Sequence, residues 1–267
     1  MESQLLAQLG VSILLCLAGF AISAWSLIFG AGLFFAIGLF AWLDSCGVSG
    51  AGDWLTLLGT AKLASCLRGT TFVACSWKHL RAYKKPLLRW SWPLVGATIL
   101  GSALLGGLED GWIHTVAMAC AIVVGVVLTE SGYREKGASP LAFLWTHPIA
   151  RLLVGLYIGV VGVGTGLLLL ALLRRDSHQD VRGSSEPDAM RRARFVETVL
   201  ALPSLLVLCA FGGLRLELAV PYAAGSALAG LCCARWIDRM ELRASPGMQR
   251  GMVRLSYLGA VGALFAR

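Results

Sequence analysis

Positions 3–43 carry no charge at all, an uncharged run of 41 residues between Glu2 and Asp44. As a single helix it would be about 60 Å long, twice the roughly 30 Å of bilayer hydrocarbon, so the pattern predicts two spans with a turn at 25–32. A glycine-rich loop holding Asp44 and Asp53 follows, and then an apolar segment at 54–76 interrupted by Lys62 and Arg68. Each such charge costs about 2.5–3.5 kcal/mol at mid-membrane, so this segment either packs inside a bundle or lies flat at the interface. Uncharged runs at 90–108 and 111–129, joined through Glu109 and Asp110, read as a helical hairpin. After a polar connection at 130–151, the 22 uncharged residues of 152–173 read as a further span. Within it Gly155, Gly159, Gly162 and Gly166 recur at helical spacing and predict one small-residue face for close helix contact. A mixed-charge loop at 174–194 precedes two more spans, 195–214 with Glu197 and Pro203, and 219–234 with Pro221. Both prolines are tolerable in lipid. The tail after Arg254 is too short to cross unaided.

The expected fold is therefore all-α, a polytopic transmembrane helical bundle of about eight spans forming one integral membrane domain over 1–267. Composition agrees: 57% of the 267 residues are hydrophobic and 14% charged, far from the roughly 25% charged of a soluble domain. The formal net charge of +8 comes from arginines in short connections between apolar runs, where they meet lipid headgroups. That placement argues against nucleic acid. The start of the chain has no basic n-region, so no cleaved signal peptide is expected. Alternating sides at each span puts nine cations on one face and eleven on the other, which leaves orientation open. The eight cysteines show no C-x-x-C spacing, and no metal or cluster is expected.

Candidate chemistry gathers first in the basic, aromatic collar that runs from Trp77 through Lys78, His79, Arg81, Lys84, Lys85 and Arg89 to Trp90 and Trp92. These residue types are enriched where a bilayer meets water. The collar reads either as a plain interfacial loop or as the border of a small-molecule site at His79.

A family resemblance enters at the 130–151 connection. Tyr133, Pro140 and the run Trp145, Thr146, His147, Pro148 resemble the membrane-anchor subunit of dimethyl sulfoxide reductase-type molybdoenzymes, as does His79-Leu80 before Ser91-Trp92. The last-span ending Ala229 to Arg235 is similar to that family's as well. The acidic residue the family places after its His-Leu loop is absent from 91–101, and Leu231 and Asp238 stand in place of a glutamate and an aromatic. The resemblance implies a non-catalytic anchor in the bacterial cytoplasmic membrane that binds no cofactor itself. It would hold an iron–sulfur electron-transfer subunit and a molybdopterin catalytic subunit and pass them electrons from menaquinol. His79, Tyr133 and His147 would then contact the quinol headgroup, with histidine suited to accept its proton. Arg81 and Arg134 would dock an acidic patch on a partner.

Two rivals remain. A haem b anchor needs paired histidines at membrane depth, and His79, His114, His147 and His178 are not so placed. A small polytopic transporter, or a purely structural scaffold, is the alternative function. A transporter would show internal repeats or mid-span ionisable residues. No repeat is visible in the sequence, and Lys62, Arg68 and Glu197 are the possible intramembrane charges.

Overall fold

A computed structural model describes residues 2–29, 32–107, 148–160 and 186–240, with single positions between 123 and 173. Every regular element among these residues is helical, in the order α1 (Glu2–Phe29), α2 (Gly32–Ser45), α3 (Trp54–Cys75), α4 (Trp77–Leu80), α5 (Lys84–Gly106), α6 (Pro148–Val160), α7 (Glu186–Ala210) and α8 (Leu216–Met240). The fold is an all-helical polytopic bundle. Segments Gln8–Ile28, Met190–Ala210 and Leu216–Trp236 are long and apolar enough to cross a membrane. The second half of the expected hairpin, 111–129, lies outside the described residues save Val123.

The long uncharged run breaks where its length requires, between Phe29 and Gly32. Downstream, Asp53 caps α3 by accepting from the Thr56 amide at 3.0 Å and the Thr56 hydroxyl at 2.7 Å. A carboxylate there satisfies donors that the first helical turn leaves unpaired. α3 carries Lys62 and Arg68, both more than nine-tenths buried. It is therefore an interior helix of the bundle rather than one lying flat on the surface. The collar is mostly helix too: α4 takes Trp77 to Leu80, and α5 begins already at Lys84.

Two expectations fail for one reason. The apolar run at 152–173 is not one continuous helix, because α6 ends at Val160 and Gly162 takes a positive φ of 66°. Glycine adopts that backbone without steric cost, and its amide closes onto the Tyr157 carbonyl at 3.3 Å. Beyond the reversal, Leu168, Leu169 and Leu173 join the apolar cluster that also holds Leu80, Leu94 and Ile158, and both α6, through Arg151 over the Trp90 ring at 5.6 Å, and the later Arg192 over Tyr83 lie beside the collar. The chain thus returns to the side it left. α7 then starts at Glu186, so Arg191, Arg192 and Arg194 belong to a helix rather than a solvated loop, and Arg192 stacks over the Tyr83 ring at 4.4 Å. The expected side-alternation, which put these arginines opposite the collar, is corrected accordingly.

The described helices form two similar halves. In one, α1 packs along α8 and α8 along α3; in the other, α6 packs along α5 and α5 along α7. Within each half the three run the same way. Leu27 meets Cys233 and Phe72 in the first. In the second, Ser102 bonds both the Gly159 carbonyl and the Ser204 hydroxyl. Between halves the direction reverses: Arg68 meets Glu197 while Gly59, earlier in α3, abuts Gly213 beyond the end of α7. This is an inverted repeat carried by geometry, absent from the residue pattern. Small residues weld both halves. A Cβ on Gly19 would overlap the Tyr222 carbonyl, and one on Gly159 the Thr98 carbonyl. Hydroxyls bond across the same seams, Ser23 to Ser226 at 2.8 Å and Thr98 to the Gly155 carbonyl at 3.1 Å. Gly155 and Gly159 form that face alone; Gly162 and Gly166 turn away to line a cavity.

Candidate functional site

Two helices end inside the protein, and each leaves backbone carbonyls without helical partners. Unsatisfied carbonyls cost several kcal/mol each where water is excluded. A buried cation from the opposite half caps each end. Lys62 of α3 donates to the Ile158 carbonyl of α6 at 3.0 Å. Arg194 of α7 donates to the Ser26 and Leu27 carbonyls of α1 at 2.6 and 3.0 Å. Both sit nine residues into their helices, counting from Trp54 and from Glu186, so the two caps are partners under the inverted repeat. Positive charge at a helix C-terminus is also favoured by the helix dipole.

A carboxylate joins the second cap to a third cation. Glu197 accepts from Arg194 at 2.6 Å with one oxygen and from Arg68 at 2.5 Å with the other. Arg68 also donates to the Ser65 hydroxyl at 3.3 Å. Each of the four charged residues is at most 9% exposed. Three cations face one carboxylate, a formal excess of two positive charges. Among the described residues no carboxylate lies within ion-pair range of Lys62.

Lys62, Arg68 and Glu197 border a cavity between the halves. Its wall takes Ser23 and Ser26 from α1, Gly32 from the start of α2, Lys62, Ser65 and Arg68 from α3, Thr165 and Gly166 beyond α6, and Glu197 from α7. About 50 Å³ is open to the centres of water-sized molecules. One water needs roughly 10–15 Å³ on that measure, so the space suits a few waters or one small polyatomic ion. Hydroxyls, a helix N-terminus, the Lys62 ammonium and the Arg68 guanidinium make the wall anion-seeking. Lys62 lies about 12 Å along the roughly 33 Å of α3, well inside the bundle.

Of the residues the sequence singled out at the membrane edge, His79 and Arg81 are exposed at the α4 end, where the His79 amide donates to the Ser76 carbonyl at 3.0 Å. Tyr133, Arg134 and His147 lie outside the described residues. The structure does assemble Lys62, Arg68 and Glu197, the three possible intramembrane charges weighed for a transporter. Sequence reasoning missed Arg194, which it placed in a loop. Its i, i+3 spacing to Glu197 was the available signal.

An inverted-repeat membrane bundle, with broken helices meeting at a charged interior cavity, is the architecture in which secondary transporters hold their substrates. Residues 15–262 match the model of the sulfite exporter TauE/SafE family, and the chain belongs to that family. It is a multi-pass membrane protein. No curated protein and no solved structure matches the chain. The family match overturns the resemblance to a molybdoenzyme anchor subunit, and with it the iron–sulfur and molybdopterin partners and electron transfer from menaquinol. That resemblance rested on short runs of interfacial Trp, Tyr, Pro and His, residue types that recur at any membrane edge. The quinol contacts assigned to His79, Tyr133 and His147 and the docking role of Arg81 and Arg134 lose their basis.

Proposed function

We propose that this chain exports sulfite, or a small oxyanion closely like it, binding the ion in the interior cavity against Lys62 and Arg68. The family's description as sulfite exporters supports the substrate class. One observation carries the assignment to this site: the Lys62 ammonium lines the cavity, is 6% exposed, and among the described residues donates to the Ile158 carbonyl alone. An ammonium has three donors. Burying it with one neutral acceptor is costly in apolar surroundings, and an entering anion supplies the missing partners. Two formal positive charges in excess match an ion of charge minus one or minus two. The Ser65 hydroxyl, which accepts from Arg68, and the Ser26 hydroxyl can donate to its oxygens, whereas those of Ser23 and Thr165 already donate to the Ser226 hydroxyl and the Gly162 carbonyl. No covalent step is needed. The halves rock about the bound ion so that the cavity opens to each side in turn.

The test is sulfite release from liposomes that contain the purified protein. Lys62→Met keeps the length of the side chain and removes the charge. It is expected to slow release at least tenfold while the protein still elutes as a folded, monodisperse species. Lys62→Arg should keep a measurable part of the rate. Release through the wild-type protein no faster than from protein-free liposomes would overturn the reading.

A further inference from the structure

We infer that Glu197 is a built-in counter-anion, held on Arg68 while the cavity is empty and displaced from it by the transported ion. This deepens the proposed function and rests on it. Lys62 and Arg194 are equivalent caps on equivalent helix ends, yet Lys62 caps α6 with no carboxylate beside it among the described residues. Capping therefore does not require Glu197. At the position equivalent to Glu197, twelve residues into its helix, α3 carries Ser65. The carboxylate is what breaks the symmetry of the two halves.

The two arginines on Glu197 differ in freedom. Arg194 is tied to two α1 carbonyls besides Glu197, is 2% exposed, and does not line the cavity. Arg68 does line it, and apart from Glu197 its side chain holds, among the described residues, only the Ser65 hydroxyl on its own helix. An entering oxyanion can take the Arg68 guanidinium by the same charge-assisted geometry that the carboxylate now uses. Glu197 keeps its bond to Arg194, so neither the carboxylate nor Arg68 is left buried and unpaired at any stage. Breaking the pair without a substitute anion would instead strand a buried charge. Glu197 is thus a positioning residue. It competes with substrate for Arg68 and holds the empty cavity in one closed arrangement.

The experiment measures sulfite affinity of the detergent-purified full chain by thermal stabilisation, for wild type and for Glu197→Gln. Removing the competitor is expected to lower the melting temperature without sulfite, yet to tighten the dissociation constant by about tenfold. That is roughly 1.4 kcal/mol at 25 °C. A purely structural carboxylate predicts the lower melting temperature with an unchanged constant, and a carboxylate that binds substrate directly predicts a weaker one; either overturns the inference. A second readout needs no variant: sulfite added to the wild-type protein should shift the carboxylate stretch in an infrared difference spectrum, with the shift assigned by isotope-labelled glutamate. An unmoved glutamate band with sulfite demonstrably bound refutes the displacement alone. If the wild-type protein binds neither sulfite nor any other small oxyanion, the transport assignment falls and this inference falls with it.

Discussion

The collar and the interior cluster hold similar chemistry in opposite surroundings. Around the collar, Lys78, His79, Arg81, Lys84 and Lys85 are exposed, with Lys84 5.3 Å over the Trp77 ring. In the interior, Lys62, Arg68, Arg194 and Glu197 are buried and hydrogen-bonded to backbone ends and to each other. The collar has the higher density of charge, aromatics and histidine and so draws attention first. Its residues are where a bilayer edge would put them at little cost. The interior residues are few and each is expensive at membrane depth. Cost, more than density, marks the place where a membrane protein keeps its function.

Substitutions that remove interior charges should sharpen this contrast most. Arg194→Leu strips the cap from Ser26 and Leu27 and leaves Glu197 on Arg68 alone. A loss of about 3–5 kcal/mol is expected from breaking such a buried pair. It should appear as a collapse of monodisperse protein on size exclusion, and an undiminished yield would show that the cluster does not hold α1 to α7. Next in size is Gly159→Leu, which forces α5 away from α6 because even a Cβ there meets the Thr98 carbonyl and the Ser102 backbone. About 1–3 kcal/mol is expected for overpacking, read as a lowered melting temperature. Ser102→Ala removes two interhelical bonds, to the Gly159 carbonyl and the Ser204 hydroxyl, and at roughly 0.6 kcal/mol for each should cost only about 1.2 kcal/mol. At the collar, His79→Ala and Arg81→Ala should leave sulfite release within about twofold of wild type, as exposed positions generally do. A larger loss in either collar variant would erase the distinction between the two regions.

Much of the bundle was legible in the chain because length and charge are one-dimensional properties. An uncharged run of 41 residues is too long for one span, and the structure breaks it at Phe29 to Gly32. The burial of α3 was one of two readings that Lys62 and Arg68 allowed. What hydropathy cannot register is direction. Residues 152–173 are apolar whether the chain runs on or turns back, and the positive φ at Gly162 decides it. The mixed charge of 174–194 read as a solvated loop, which displaced Arg194 into solvent and hid the fourth member of the cluster. The inverted repeat was invisible for another reason: its halves agree in the roles of Gly, Ser and cationic residues, while the residues themselves differ. Lys62 answers to Arg194, and Ser65 to Glu197. The interfacial motifs misled because they report a membrane boundary, which many unrelated families share.

The pair Arg68 and Glu197 is separated by 129 positions in the chain. A ribosome adding roughly 5–20 residues each second needs about 6–26 s to bridge that gap. For that interval α3 exists with two cations and without its carboxylate, a helix that lipid alone accepts poorly. Nor is its Ile158 acceptor yet made when α3 emerges. The charges of α3 therefore gain their partners only after α6 and α7 are made, so the first half of the protein waits on the second for its last contacts.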